Sequence, residues 1–352
     1  VAEQDRVSSV LSGPTPRFLI VRLGSLGDVV HAIPAAAALR HTYPAARVDW
    51  MVDPRYVELL NLVESIDTRI PVDPRALRRG SERRQLFGTM RDLRRTRYDA
   101  VIDLQGLLKS AVLARAAGGR KTIGFPRAHL REPVARFLYT EIPDPGSATH
   151  VIHKNLALLA AVGVSDSRVR FPVNIPRTPV VKTLNERFSR PGFVLINPGA
   201  AWPNKRWPPD RFGAVASAIQ RDLGLSSVVL WGPGEERVAA DVVAASSGGA
   251  ELSPPTTIPD IVGLARSARL MVSGDTGPLH LAAAVGTPIV ALFGPTFAER
   301  NGPWAPDDIS LSQASQCICH YERECRRHSR CIDDIGVDDV VNAVRRRLAA
   351  HG

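Results

Sequence analysis

The stretch RFLIVRLGSLGDVVHAIPA, residues 17–35, decides how the rest of the chain is read. Arg17 to Leu23 is an apolar run of strand length, and Gly24-Ser25-Leu26-Gly27-Asp28 breaks it with two glycines. An Ala-rich helical segment follows and ends near Tyr43-Pro44. Strand, glycine turn and helix in that order open a parallel α/β unit. Val48–Val52 and Ala100–Asp103 continue the series as strands. Phe193–Asn197, Ser227–Trp231, Leu270–Ser273 and Ile289–Phe293 restart it, each running into a Gly/Pro turn. Between the two series Phe171–Gly192 carries Pro172, Pro176, Pro179 and Pro191, the composition of a linker. The expected organisation is a disordered polar leader at 1–16 and two Rossmann-like α/β domains, 17–180 and 181–352. Loops from the carboxyl ends of both sheets are expected to face one another across a cleft.

A chain of 352 residues suits two domains of ordinary size. Its net charge of +10 calls for an acidic partner: a nucleic acid, an anionic membrane or a phosphorylated substrate. Aromatic residues are only 6% of the chain and are not interleaved with the basic ones, so nucleic acid is not the expected partner. No apolar run approaches the roughly 20 residues of a membrane-spanning helix. Val1–Pro16 lacks the apolar centre of a secretion signal, so a cytoplasmic location is expected.

Four constellations carry chemistry. In Gly24–Asp28 the glycines allow close backbone approach to a ligand, and Asp28 is either a helix cap or a loop carboxylate. Pro34 favours the second, since an interior proline marks a later helix start. A dinucleotide site with Asp53 on a ribose fits poorly, because the spacing is G-x-x-G rather than G-x-G-x-x-G. Next, Asn197-Pro198-Gly199-Ala200-Ala201 precedes Lys205, a cation within reach of a phosphate on a small-residue loop. Third is Gly232-Pro233-Gly234-Glu235-Glu236, where a carboxylate suits ribose hydroxyls or simply an acidic first helical turn. The fourth, Ser273-Gly274-Asp275-Thr276-Gly277-Pro278-Leu279-His280, joins a strand to a small-residue helix whose free amides suit an anion. Asp275 would repel a phosphate and is read as an acceptor for sugar hydroxyls. A lone His280, one turn into the helix, reads first as a core residue.

The segments SLGDVVHAIPA, AVIDLQGLLKS, REPVARFLY, NPGAAWPNKRWP and SGDTGPLHLAAAVGTPIVALFGPT resemble the ADP-heptose lipopolysaccharide heptosyltransferases, glycosyltransferase family nine, from about Arg17 onward. DLQGLLKS and REP look most like the members that add the first heptose to Kdo. The resemblance implies a GT-B fold, an ADP-heptose donor held mainly by the second half, and inversion at the anomeric carbon. It makes Asp28 the general base, with Gly199, Ala200, Ala201, Lys205, Glu235, Asp275, Thr276, Gly277 and His280 on the donor. Lys109, Ser110 and Arg131 would line the side of a Kdo–lipid A type acceptor, at the inner face of the inner membrane. Alanines at 200 and 201 leave only backbone N–H groups for the phosphate, and the choice between Glu235 and Glu236 stays open.

A run of arginines from Arg75 to Arg97 faces only Glu82 and Asp92. Arg78, Arg79, Arg83 and Arg84 are expected to grip acceptor carboxylates and phosphates. Cys317, Cys319, Cys325 and Cys331 have His320 and His328 nearby, but the tight C-x-C pair is poor for a zinc knuckle. No metal and no cofactor are expected. The competing readings are a relative using another sugar or acceptor and, remotely, an NAD-dependent oxidoreductase.

Overall fold

The computed structural model describes residues 15–73, 75 and 80–350. The chain divides into two compact units, Val1–Asn174 and Ile175–Gly352, each built on one parallel sheet. In the first unit β1 (Arg17–Val21), β2 (Arg47–Val52), β3 (Thr68–Pro71), β4 (Ala100–Asp103) and β5 (Lys121–Ile123) lie in the order β3-β2-β1-β4-β5. The second unit contributes β6 (Phe193–Asn197), β7 (Ser226–Val229), β8 (Ala250–Leu252), β9 (Leu270–Gly274), β10 (Ile289–Phe293) and β11 (Ile309–Ser312). Their order is β11-β10-β9-β6-β7-β8. Every pairing in both sheets is parallel.

Parallel strands covered on both faces are near-continuous apolar runs, and the central strands follow this, with polar Asn197 and Ser273 only near their carboxyl ends. All five residues of β6, β9 and β10 are buried. Side-chain alternation divides the second core into two layers. Val194 and Ile196 pack with Phe212, Ile219 and Val344 on one face. Phe193 and Leu195 pack with Leu264, Met271 and Leu279 on the other. The first unit gathers Leu19, Val21, Met51, Leu93, Tyr98, Val101 and Leu113. Among the described residues no helix is long and apolar enough to cross a membrane.

Pro34 does not delay the first helix, contrary to the sequence expectation. The helix runs Leu26–Thr42 with Ser25 as its cap, and Pro34 lies inside it. An interior proline costs about 3 kcal/mol. Every residue from Val29 to Leu39 is buried, and a buried Val, Ile or Leu contributes roughly 1.5–3 kcal/mol. Burial wins, and Asp28 sits in the first helical turn rather than in the loop.

Candidate functional site

At the end of β1 the chain passes through Arg22 and Leu23, both buried, before turning at Gly24. A Cβ on Gly24 would lie 2.7 Å from the Tyr56 ring, so any larger residue would push that ring aside. The Asp28 carboxylate is held from one side. Ser25 donates to its Oδ2 through both the backbone N–H (3.1 Å) and the hydroxyl (2.9 Å). The Arg22 guanidinium pairs with Oδ1 and also donates to the Leu104 carbonyl. One third of the Asp28 side chain stays exposed, so the carboxylate is oriented but reachable. Arg22 was not singled out in the sequence, although a cation inside an apolar strand run is a signal.

The loop after β4 is tied to the same strand end, since Leu23 N–H donates to Gln105 Oε1 at 2.8 Å. Its centre is the fully buried Asp103, which accepts from Gln105 N–H, Gly106 N–H, Ser110 Oγ and Tyr139 Oη. Burial pushes the Asp103 carboxyl above its ordinary range, against the pull of those donors. In the structure Ser110, expected to line the acceptor side, turns inward. Its side chain is fully buried, donating to Asp103 at 2.9 Å and accepting Leu107 N–H at 3.1 Å. Lys109 and Arg131 are exposed, on segments joined by a hydrogen bond from Leu108 N–H to Glu132 Oε2. Arg83 and Arg84 are exposed near the start of the Gly80–Thr96 helix, and no described contact joins them to Lys109 or Arg131. Arg78 and Arg79 lie outside the described residues.

In the second unit the loops after β6, β7, β9 and β10 all leave carboxyl ends of one parallel sheet. The chain reverses its direction of travel across the sheet between β6 and β9, the position where α/β sheets bind ligands. Asn197 at the end of β6 donates to Ser273 Oγ (3.1 Å) and Thr276 Oγ1 (3.0 Å), locking the two loops together. Asp275 is the hub. Lys205 Nζ lies 2.5 Å from its Oδ2, Thr296 Oγ1 donates at 2.7 Å, Asn301 Nδ2 at 2.7 Å, and His280 Nε2 is 3.3 Å away. Burial alone would raise this carboxyl. The His280 hydrogen bond and the Lys205 charge outweigh it and hold the group well below the usual carboxylate range.

Both oxygens of Asp275, expected to accept from sugar hydroxyls, meet protein donors here. The carboxylate holds Lys205 and His280. Lys205 also lies 4.7 Å from the centre of the Trp202 ring, so two contacts aim one ammonium. His280 is buried, with its imidazole on Asp275. The Gly277–Ala284 helix begins beside this cluster, capped at Thr276, with Pro278 in its first turn.

Glu235 is half-buried and accepts Gly232 N–H at 3.2 Å, whereas Glu236 is exposed. A Cβ on residue 199 would fall 2.1 Å from Glu235 Oε2, so Gly199 is what lets the β6 and β7 loops touch. Ala200 is buried and Ala201 exposed beside it. Thr296 and Asn301 join the cluster at Asp275 and were not singled out in the sequence, although Thr296 closes the conspicuous Phe293-Gly-Pro-Thr turn. Asn197 was noted only as the start of its glycine loop.

Cys317, Cys319 and Cys331 are buried together, with Cys325 packed against them, and all four are free thiols. Burial and the neighbouring Cys317 thiol push the Cys331 thiol up to about 12. Among the described residues no group of three or more His, Cys, Asp or Glu side chains is placed to hold a metal.

A family model described as glycosyltransferase family 9 (heptosyltransferase) matches residues 86–330, more than half of the chain. Lipopolysaccharide heptosyltransferase 1 of Pseudomonas aeruginosa is 29% identical over 323 residues, 88% of this chain and 87% of that protein. Lipopolysaccharide heptosyltransferase 3 of Escherichia coli is 25% identical over 332 residues, 92% of this chain and 95% of that one. Among solved structures, the E. coli heptosyltransferase WaaC with ADP superposes with a TM-score of 0.75 at 23% identity, covering 94% of this chain and 99% of that one. The same enzyme with ADP-2-deoxy-2-fluoro heptose gives 0.72 at 23% identity, with the same coverage. The likeness fixes the architecture as GT-B, two parallel α/β units.

Proposed function

Because this chain belongs to glycosyltransferase family 9, the heptosyltransferases, we propose that it moves heptose from ADP-heptose to a Kdo-containing inner-core acceptor of lipopolysaccharide, with inversion at the anomeric carbon. The observation that carries the donor half of this reading is the Lys205–Asp275–His280 cluster at the ends of β6 and β9. An ammonium has three donors, and the one spent on Asp275 leaves others for diphosphate oxygens. The amides that open the Gly277–Ala284 helix add fixed dipoles of the same sign. Glu235, beside Gly199, is set to accept from ribose hydroxyls, and Gly199, Ala200 and Ala201 offer backbone N–H groups. Thr276 and Gly277 line the start of the helix.

In the transfer an acceptor hydroxyl attacks the anomeric carbon. The carbon–oxygen bond to the β-phosphate breaks, ADP leaves with the bonding pair, and the hydroxyl proton passes to Asp28. Charge grows on the departing diphosphate, where Lys205 and the helix amides already point. Asp28 suits the proton transfer because Arg22 and Ser25 hold it in place while a third of it stays open. Lys109 and Arg131, with Arg83, Arg84 and the preceding arginines, are the cations for acceptor carboxylates and phosphates. The same reading puts the enzyme in the cytoplasm at the inner face of the inner membrane, with ADP-heptose and a Kdo–lipid A type molecule as its partners.

The test is product analysis with ADP-heptose and a Kdo–lipid A acceptor. A mass gain of one heptose with inverted anomeric configuration supports the reading. Transfer only to an acceptor that already carries heptose would replace the first-heptose assignment, in line with the likeness to the E. coli heptosyltransferase 3.

A further inference from the structure

One surface of the first unit breaks the usual rule that large apolar side chains are covered. In the Pro133–Leu138 3₁₀ turn, Val134 and Phe137 are three apart and therefore share a face; they are 54% and 77% exposed. Leu108 and Val112 on the Leu108–Ala116 helix are four apart, share a face, and are 41% and 42% exposed. The two elements pack together: Leu108 N–H donates to Glu132 Oε2 at 2.6 Å, and Val112 and Leu138 line one shallow hollow of about 420 Å³. The result is an apolar ridge rather than scattered single residues.

Exposed cations surround the ridge. Lys109 and Arg115 come from the helix, Arg131 precedes the turn, Arg136 lies within it, and Arg94, whose guanidinium donates to the Ala116 carbonyl, borders the hollow. Of the nearby carboxylates, Glu132 is already engaged with a backbone amide. A second copy of this chain, docked through the same patch, would bring these five cations against five more. An anionic lipid surface meets both features at once, with headgroups on the cations and acyl chains under the aromatic ring.

We propose that the Val134–Phe137 turn and the exposed face of the Leu108–Ala116 helix dock the protein on an anionic bilayer. This deepens the membrane-surface reading above by assigning its face, and its test involves no sugar transfer. Failure here therefore leaves the reaction assignment standing, and failure of the reaction leaves this surface standing.

The experiment is co-sedimentation of the full chain with vesicles of phosphatidylglycerol and phosphatidylcholine, against vesicles of phosphatidylcholine alone. The parent is expected to pellet with the anionic vesicles and largely escape the neutral ones. The double variant Val134→Ser/Phe137→Ser should lose on the order of tenfold or more in partitioning, because two exposed side chains leave the acyl boundary. Both positions are exposed, so circular dichroism should match the parent. A single Phe137→Trp variant should shift its emission to the blue on anionic vesicles only. Equal partitioning of the double variant, or no shift for Phe137→Trp, overturns the proposal. So does a parent dimer in sedimentation equilibrium that Val134→Ser/Phe137→Ser converts to monomer.

Discussion

At the scale of single residues, Asp28 and Gly199 separate chemistry from support. Asn at position 28 still accepts hydrogen bonds from Ser25 but cannot take a proton. Asp28→Asn is expected to lower turnover by roughly 10²–10⁴-fold, with ADP-heptose affinity near the parent's. Near-normal turnover in a folded variant would remove the base assignment. Gly199→Ala acts without touching chemistry. Its methyl would occupy the space of Glu235 Oε2, 2.1 Å away, so the carboxylate must swing out and give up the Gly232 amide. If Glu235 holds the ribose, ADP affinity should fall about tenfold to a hundredfold, the loss of one charged hydrogen bond. Unchanged affinity in titration calorimetry would clear Glu235 of that role.

Asp275 gives a prediction in pH. Its folded carboxyl is held well below the ordinary value of about 3.9, so the unfolded chain takes up the proton first as pH falls. The stability it contributes is therefore fully present above about pH 4–5 and is lost below that range. The gap in melting temperature between the parent and Asp275→Asn should be widest near pH 6–7 and narrow toward pH 3. Asp103 and Asp308, both raised by burial, act in the opposite direction, but they are present in both proteins and cancel in the difference. A gap that does not change with pH would mean the carboxylate's charge contributes nothing.

Among elements, the Leu108–Ala116 helix shows how a residue can be conspicuous in sequence and yet structural. Ser110 is a capping residue turned inward. Ser110→Ala should cost about 1–3 kcal/mol by leaving Leu107 N–H and one Asp103 oxygen short of a partner, and should leave the acceptor KM unchanged. Raised KM at parental melting temperature would restore it as a ligand. Strands divide in the same way. Those at sheet centres, such as β6 (FVLIN) and β10 (IVALF), are legible because two buried faces force a near-continuous apolar run. The edge strands β3 (TRIP), β5 (KTI), β8 (AEL) and β11 (ISLS) were not, because they are partly exposed and too short for any period to register. Glycine turns announced all four loops that leave the carboxyl ends of β6, β7, β9 and β10. Arg22 and Asn301 stayed hidden because their work is to orient other side chains across separations no local pattern records.

For the whole molecule, the cores of the two units share no residue, so a ligand of one should leave the other's fluctuations nearly untouched. At a hundredfold excess over Kd, ADP should add about 2.7 kcal/mol to the unit that binds it. Hydrogen-exchange mass spectrometry is expected to show slowing in peptides over Asn197–Lys205, Gly232–Glu235 and Gly274–Leu281, with β1 to β5 unaffected. Protection confined to β1 to β5 would reverse the donor assignment.

The hub at Asp275 also sets a timetable. Lys205 emerges from the ribosome 70 residues ahead of its partner, a wait of roughly 4–14 s at about 5–20 residues per second. Once β7 (Ser226–Val229) has followed, β6 has a partner on one side and nothing on the other until β9 emerges. A chain interrupted before residue 270 therefore carries a largely apolar strand (FVLIN) with a bare edge, the hazard that drives strand-to-strand aggregation. Translational pausing in that window should produce insoluble fragments, and retention on immobilised ADP would select for chains whose synthesis ran past it.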